Sequence, residues 1–119
     1  MIDTPHALDQ LSDQIGGAVL AIDALFGVKG QVAIVTGAAS GLGLAMAGGM
    51  AQNGATVLMI DIDAKALEAA AAPLRAGGGA VETAALDVAD TAALRGAIDS
   101  MAARHGRLDT VFANAGMSS

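Results

Sequence analysis

The run Thr36-Gly37-Ala38-Ala39-Ser40-Gly41-Leu42-Gly43 has the make-up of a turn that holds an anion. It follows a short apolar run and opens a helical pattern. At such a junction glycines permit a tight turn, let the backbone approach a pyrophosphate, and allow close helix–strand packing. The helix N-terminus adds free N–H groups and a partial positive charge. Glycine is common in this chain, with 16 of 119 residues, so the motif alone is weak and its setting gives it weight. The plainer reading is an ordinary strand–helix turn.

A second candidate is Asp61, 18 residues after Gly43 and at the end of another apolar run. A carboxylate there can accept hydrogen bonds from the hydroxyls of an adenosine ribose. Its charge opposes a 2′-phosphate, and no Arg or Lys stands at Ala38, Ala39, Ser40, Ile62 or Asp63 to welcome one. The expected cofactor is NAD rather than NADP. The plainer reading of Asp61 is a strand-end turn residue.

Absent residue types exclude other chemistry. The 119 residues hold no Tyr, Trp or Cys. No tyrosine can act as acid or base, and no disulfide, zinc-thiolate site or cysteine nucleophile is available. Two His make a metal centre an unpromising reading, and His6 and His105 read as surface or helix-end residues. Six Lys and Arg against twelve Asp and Glu give a formal charge of −6. Lys29, Lys65, Arg75, Arg95, Arg104 and Arg107 are scattered, so no basic stripe exists for nucleic acid. Mean hydropathy is +0.56, yet a spanning helix needs about 20 apolar residues. The longest candidate, Ala18 to Phe26, is short and carries Asp23. Met1-Ile2-Asp3-Thr4-Pro5 lacks the basic flank of a signal peptide. A soluble, cytoplasmic protein with no membrane partner is expected.

The elements that position these residues follow from local pattern. Asp3 or Thr4 before Pro5 starts a helix. Leu8, Leu11, Ile15, Ala18, Ile22 and Leu25 continue it as one apolar stripe, interrupted by Gly16 and Gly17. This extension over residues 1–28 either covers the domain's own surface or packs against another subunit. Val32 to Val35 reads as a buried strand. A helix from Leu42 to about Asn53 follows, with Leu42, Ala45, Met46, Gly49 and Met50 on one face and Gly54 as its stop. Thr56 to Ile60 is a second strand. Asp63 caps a helix to about Ala76 with Leu67, Ala70, Ala71 and Leu74 inward, and Pro73 threatens to end it early. Ala80 to Leu86 is a third strand. Asp90 caps a helix with Leu94, Ala97, Ile98 and Met101 inward, closed by His105-Gly106. Leu108 to Ala113 is a fourth strand. This alternation implies an α/β fold, a doubly wound parallel sheet with helices on both faces.

Thr36-Gly37-x-x-x-Gly41-x-Gly43 resembles the cofactor motif of the short-chain dehydrogenases/reductases, whose spacing differs from the G-x-G-x-x-G of other dinucleotide binders. Three more stretches match in order. Gly30 to Val35 looks like the family's first strand. Asp87-Val88 looks like its strand-three aspartate. Gly106-Arg107-Leu108-Asp109-Thr110-Val111-Phe112-Ala113-Asn114-Ala115-Gly116 looks like its fourth strand with the Asn-Ala-Gly motif, Ala113 standing where the family often has a second Asn. The resemblance covers residues 29–116. It implies a Rossmann-type sheet, here a partial one of four strands over residues 29–119. It implies that Gly37, Ser40, Gly41, Leu42 and Gly43 cradle the pyrophosphate, Ser40 adding a hydroxyl. Asp61 and Ile62 would flank the ribose. Asp87 would accept from the adenine amino group with Val88 beside it. Asn114, Ala115 and Gly116 would lie against the cofactor, Asn114 also clamping strands.

The family's catalytic serine and Tyr-x-x-x-Lys pair are expected downstream of Ser119, and Ser118 and Ser119 do not match the serine's place. The expectation is therefore the N-terminal part of an NAD-dependent oxidoreductase acting on an alcohol or ketone carbon. The resemblance also implies a homodimer or homotetramer. The alternative is a non-catalytic half-domain that binds NAD or pairs with a second chain. An open edge on strand four and marginal stability of the 119 residues alone are further expectations.

Overall fold

The computed structural model describes residues 27–114. The expected N-terminal helix, as well as Ala115 and Gly116, lies outside the described residues. Within them the order is β1 (Val32–Thr36), α1 (Gly41–Gln52), β2 (Thr56–Asp61), α2 (Ala64–Ala76), β3 (Ala80–Ala85), α3 (Thr91–His105) and β4 (Thr110–Ala113). The strands form one parallel sheet in the order β3-β2-β1-β4. The chain builds outward from β1 to β3, then returns across the sheet to place β4 on the other side of β1. A right-handed crossover made in the opposite direction puts its helix on the opposite face.

That is what the packing shows. Ala33 and Val35 of β1 and Val57 and Met59 of β2 meet Met46 and Met50 of α1 and Leu67 and Ala71 of α2. The alternate residues Val32, Ile34, Leu58 and Ile60 meet Met101, Leu94, Ala97 and Ile98 of α3. Because successive strand residues face opposite sides, one apolar run serves two layers. All five residues of β1 are buried, which is why the run there does not alternate with polar residues. Met, Leu and Ile fill the interior in place of aromatic rings, and each fully buried one contributes about 1.5–3 kcal/mol.

Element ends follow their caps. Asp63 and Asp90 accept hydrogen bonds from the N–H groups of Ala66 (3.0 Å) and Ala93 (3.1 Å) at the starts of α2 and α3. Gly106 closes α3 at φ 73°, where a side chain would be strained. Pro73 does not end α2, which runs on to Ala76. Its missing N–H orphans only the Ala69 carbonyl. Ala69, Ala72 and Pro73 are exposed, so water can take that bond. Leu42 also departs from its expected core position: it sits at the solvent end of α1, 36% exposed, while Gly43, Ala47, Gly48 and Ala51 join Met46 and Met50 inside. β3 ends at Ala85 and β4 begins at Thr110, each shorter than its apolar pattern.

Two side-chain ties hold the frame away from the glycine-rich turn. Asp109 accepts from the Val32 N–H at 2.8 Å while pairing with Arg107, so the start of β4 is fixed to the start of β1. Hydrogen bonds from Arg107 and Val32 hold the Asp109 carboxyl below the usual carboxylate range. Glu82 on β3 pairs with Arg104 at 2.6 Å and His105 at 2.7 Å, anchoring the end of α3. Burial pushes the Glu82 carboxyl up, but the hydrogen bonds from His105 and Arg104 and the charge of Arg104 outweigh it and leave it lowered.

Candidate cofactor-binding site

In a parallel sheet all strand C-termini share one edge. The register aligns Thr36 with Ile60 and Ala113, and Asp61 with Ala85. Gly37, Asp61, Asp87 and Asn114 therefore stand along a single rim. From β3 to β4 is three inter-strand steps, about 14 Å at the usual spacing, a span that suits an extended ligand. The rim also crosses the point between β1 and β4 where strand order reverses, the usual ligand crevice of open α/β sheets.

The turn from Gly37 to Ser40 is fixed at several points. Gly37 and Gly41 have φ of 63° and 58°, conformations that L side chains rarely adopt. The Ala38 N–H donates to the Ile60 carbonyl at 3.0 Å. The Ala39 N–H donates to Asp61 Oδ2 at 3.1 Å. Asn114 reaches back from the end of β4, donating its own N–H to Thr36 Oγ1 at 2.9 Å and its Nδ2 to the Gly37 carbonyl at 3.4 Å. The structural part of the clamp expected of Asn114 is thus present.

Gly43 is packed where no side chain fits. A Cβ there would run into the Gly37 carbonyl oxygen and lie 2.8 Å from both the Gly37 carbonyl carbon and Asn114 Nδ2. Its absence lets α1 start directly against the turn. α1 is also the one described helix whose N-cap side chain makes no cap bond: Ser40 is extended and exposed, with its hydroxyl turned to no helical N–H. The first helical bond is donated by Leu44 to the Ser40 carbonyl at 3.2 Å. The N–H groups of Gly41, Leu42 and Gly43 precede it and have no helical acceptor. An uncapped N-terminus with no acidic residue in its first turn can receive an anion.

The other expected residues divide. Asp61 is half-buried, its Oδ1 accepting from the Asp63 N–H at 3.1 Å. Ile62 is 68% exposed beside it. Asp87 is exposed and accepts the Ala89 N–H at 2.9 Å on Oδ1, fixing its own turn. Val88 is half-buried and packs into the α3 cluster, so it supports the Asp87 turn from below. Thr36 and Ala39 had no role assigned from sequence. Thr36 is the buried polar residue at the end of β1, and a threonine closing an otherwise apolar strand was the available signal. No signal marks Ala39, which takes part through its backbone. Among the described residues no group of His, Asp or Glu could hold a metal ion. No helix among them is long and apolar enough to cross a membrane.

The sequence pattern of the short chain dehydrogenases matches residues 31–119. The chain belongs to this family. The D-threitol dehydrogenase of Mycolicibacterium smegmatis is 43% identical over 99 residues, covering 83% of this chain and 38% of that protein. Carveol dehydrogenase from Mycobacterium avium, solved in complex with NAD, superposes with a TM-score of 0.70 at 36% identity, over 76% of this chain and 37% of that one. A metagenomic short-chain oxidoreductase solved in complex with NADP gives a TM-score of 0.66 at 36% identity, over 70% of this chain and 38% of that one. The short-chain dehydrogenase chain described here thus spans well under half the length of these relatives. Its sheet is the Rossmann-type α/β sheet of the family.

Proposed function

We propose that the rim holds a nicotinamide dinucleotide and that the whole protein is an NAD-dependent oxidoreductase acting on an alcohol or ketone carbon. The observation that carries this is the pairing of an uncapped α1 N-terminus, closed by Gly43 against Gly37, with the Asp61 carboxylate one strand away. The first suits a pyrophosphate and the second a ribose. Gly37, Ser40, Gly41, Leu42 and Gly43 would hold the pyrophosphate, Asp61 and Ile62 the ribose, and Asp87 and Val88 the adenine side. Asn114, Ala115 and Gly116 would flank the cofactor at β4. When bound, the cofactor supplies a hydride acceptor or donor. The chain's own residues bind and orient it, and Asn114 keeps the turn against β4. The 119 residues contain no tyrosine, so the family's Tyr-x-x-x-Lys pair would come from further sequence of the parent enzyme.

Cofactor choice follows from charge. Relatives are solved with NAD and with NADP. Asp61 at the ribose position, with no Arg or Lys among its neighbours on the turn, supports NAD here. Calorimetric titration should give tighter binding of NAD than of NADP. Tighter NADP binding would remove the role given to Asp61. The same reading carries a cytoplasmic homodimer or homotetramer.

A second reading, a non-catalytic half-domain that binds NAD or pairs with another chain, draws on β4. That strand is an edge among the described residues, and Val111 on it is 46% exposed. An intact source polypeptide near 11.6 kDa would favour it; one of roughly twice that mass or more, in the usual range of an α/β domain, favours the enzyme.

A further inference from the structure

The Asp61 carboxylate is engaged by the chain's own backbone. Oδ2 accepts the Ala39 N–H and Oδ1 accepts the Asp63 N–H, both at 3.1 Å. Ala39 lies at the middle of the glycine-rich turn, between two glycines at positive φ. Asp63 caps α2. One carboxylate therefore joins the turn before α1 to the start of α2. A carboxylate offers about four lone-pair positions. Two are taken by backbone N–H groups, which leaves about two. A ribose vicinal diol brings two O–H donors. A 2′-phosphate removes one of those donors and adds negative charge.

We propose that Asp61 is a two-sided brace, which shapes the glycine-rich turn through these two backbone bonds, apart from the ribose contact given to it above. The brace rests on the two distances alone. The diol selection rests on the NAD reading above. The brace gives Asp61 a positioning role separate from contact with the ribose. Removing its side chain frees the Ala39 N–H, at the middle of the turn that must meet the pyrophosphate, while the Ala38 bond to Ile60 still fixes the start of the turn. Replacement by a small residue to admit NADP therefore weakens the binding of NAD, and for NADP it sets the loss of the brace against the relief of charge repulsion. The asparagine variant keeps one side-chain oxygen, and with it half of the brace, while losing the charge.

Amide hydrogen exchange on the cofactor-free protein tests this, with wild type, Asp61→Ala and Asp61→Asn side by side. The Ala38 N–H, bonded to the Ile60 carbonyl, is the internal control. In wild type the Ala39 and Asp63 amides should be protected. In Asp61→Ala both should exchange roughly tenfold faster or more, the loss expected for a hydrogen bond to a carboxylate, with Ala38 unchanged. In Asp61→Asn one of the two should stay slow. An Ala39 amide that is unprotected in wild type, or equally slow in Asp61→Ala, overturns the brace. If Ala38 also accelerates in Asp61→Ala, that variant has lost its fold locally and Asp61→Asn decides: both amides fast beside a slow Ala38 overturns the brace. Calorimetry with NAD and NADP on the same proteins reads the diol separately. Equal affinities in wild type overturn the diol selection and the NAD preference, while a protected Ala39 amide would still uphold the brace.

Discussion

Replacing Gly43 by alanine tests whether the turn and α1 are packed as closely as the site requires. The added Cβ would collide with the Gly37 carbonyl oxygen and stand 2.8 Å from the Gly37 carbonyl carbon and from Asn114 Nδ2. Two of those three atoms are backbone and cannot rotate away. Overpacking of this kind costs about 1–3 kcal/mol, and the immobile neighbours place it at the upper end. Displacing Asn114 from the Gly37 carbonyl adds about 0.5–1 kcal/mol. Better helix propensity returns up to about 1 kcal/mol. The net loss is about 2–3 kcal/mol, or roughly 10–20 °C in melting temperature for a domain this small. Gly48→Ala is the control, since its Cβ would meet only Leu74 Cδ2 at an ordinary 3.5 Å. That change should be neutral or stabilise by up to about 1 kcal/mol. Urea unfolding followed by far-ultraviolet circular dichroism measures both, the chain having no Trp or Tyr to report by fluorescence. A Gly43→Ala protein within about 0.5 kcal/mol of wild type, a surface-like change, would refute the close approach, as would an equal loss in Gly48→Ala.

Gly96 sits within α3 with nothing within 4 Å of an added Cβ, so Gly96→Ala should raise stability by about 0.5–1 kcal/mol; thermal denaturation would show no gain if α3 were not helical there. The Glu82 carboxyl is lowered, so its contribution is complete above the ordinary glutamate value and is lost as pH falls through its folded value. Urea midpoints taken through that acid range should fall less steeply for Glu82→Gln than for wild type, and parallel curves would show that the clamp on Arg104 and His105 adds nothing. Asp109→Ala should lower the urea midpoint more than Arg107→Ala, because the first also strips the Val32 N–H of its acceptor while the second removes a surface pair of little worth. Equal effects would mean that the tie to β1 is idle.

What was legible in the sequence was local. Caps at Asp63 and Asp90, stops at Gly54 and Gly106, and the inward stripes of α2 and α3 are set by neighbours three or four residues away, and the structure has them where the pattern put them. Misplaced features involve solvent or register. Pro73 is tolerated on an exposed face of α2, where water can take the bond its ring removes. Leu42 belongs to the helix period but lies in the first turn of α1, where it is left partly exposed. The long-range ties were illegible. Asp109 to Val32 and Asn114 to Thr36 join residues 77 and 78 positions apart, and only the β3-β2-β1-β4 order brings them together. The same holds for Asp61. Its place at a strand end could be read, but its bond to Ala39 depends on how the turn folds back over β2.

Mapping the backbone amide shifts of the protein as NAD is added tests the rim as a cofactor site most directly. The largest shifts should fall on Ser40 to Gly43, Asp61, Ile62, Asp87 and Asn114, and the N-terminal ends of the strands should stay still. Shifts centred elsewhere, or none at saturating NAD, would contradict the site proposed here.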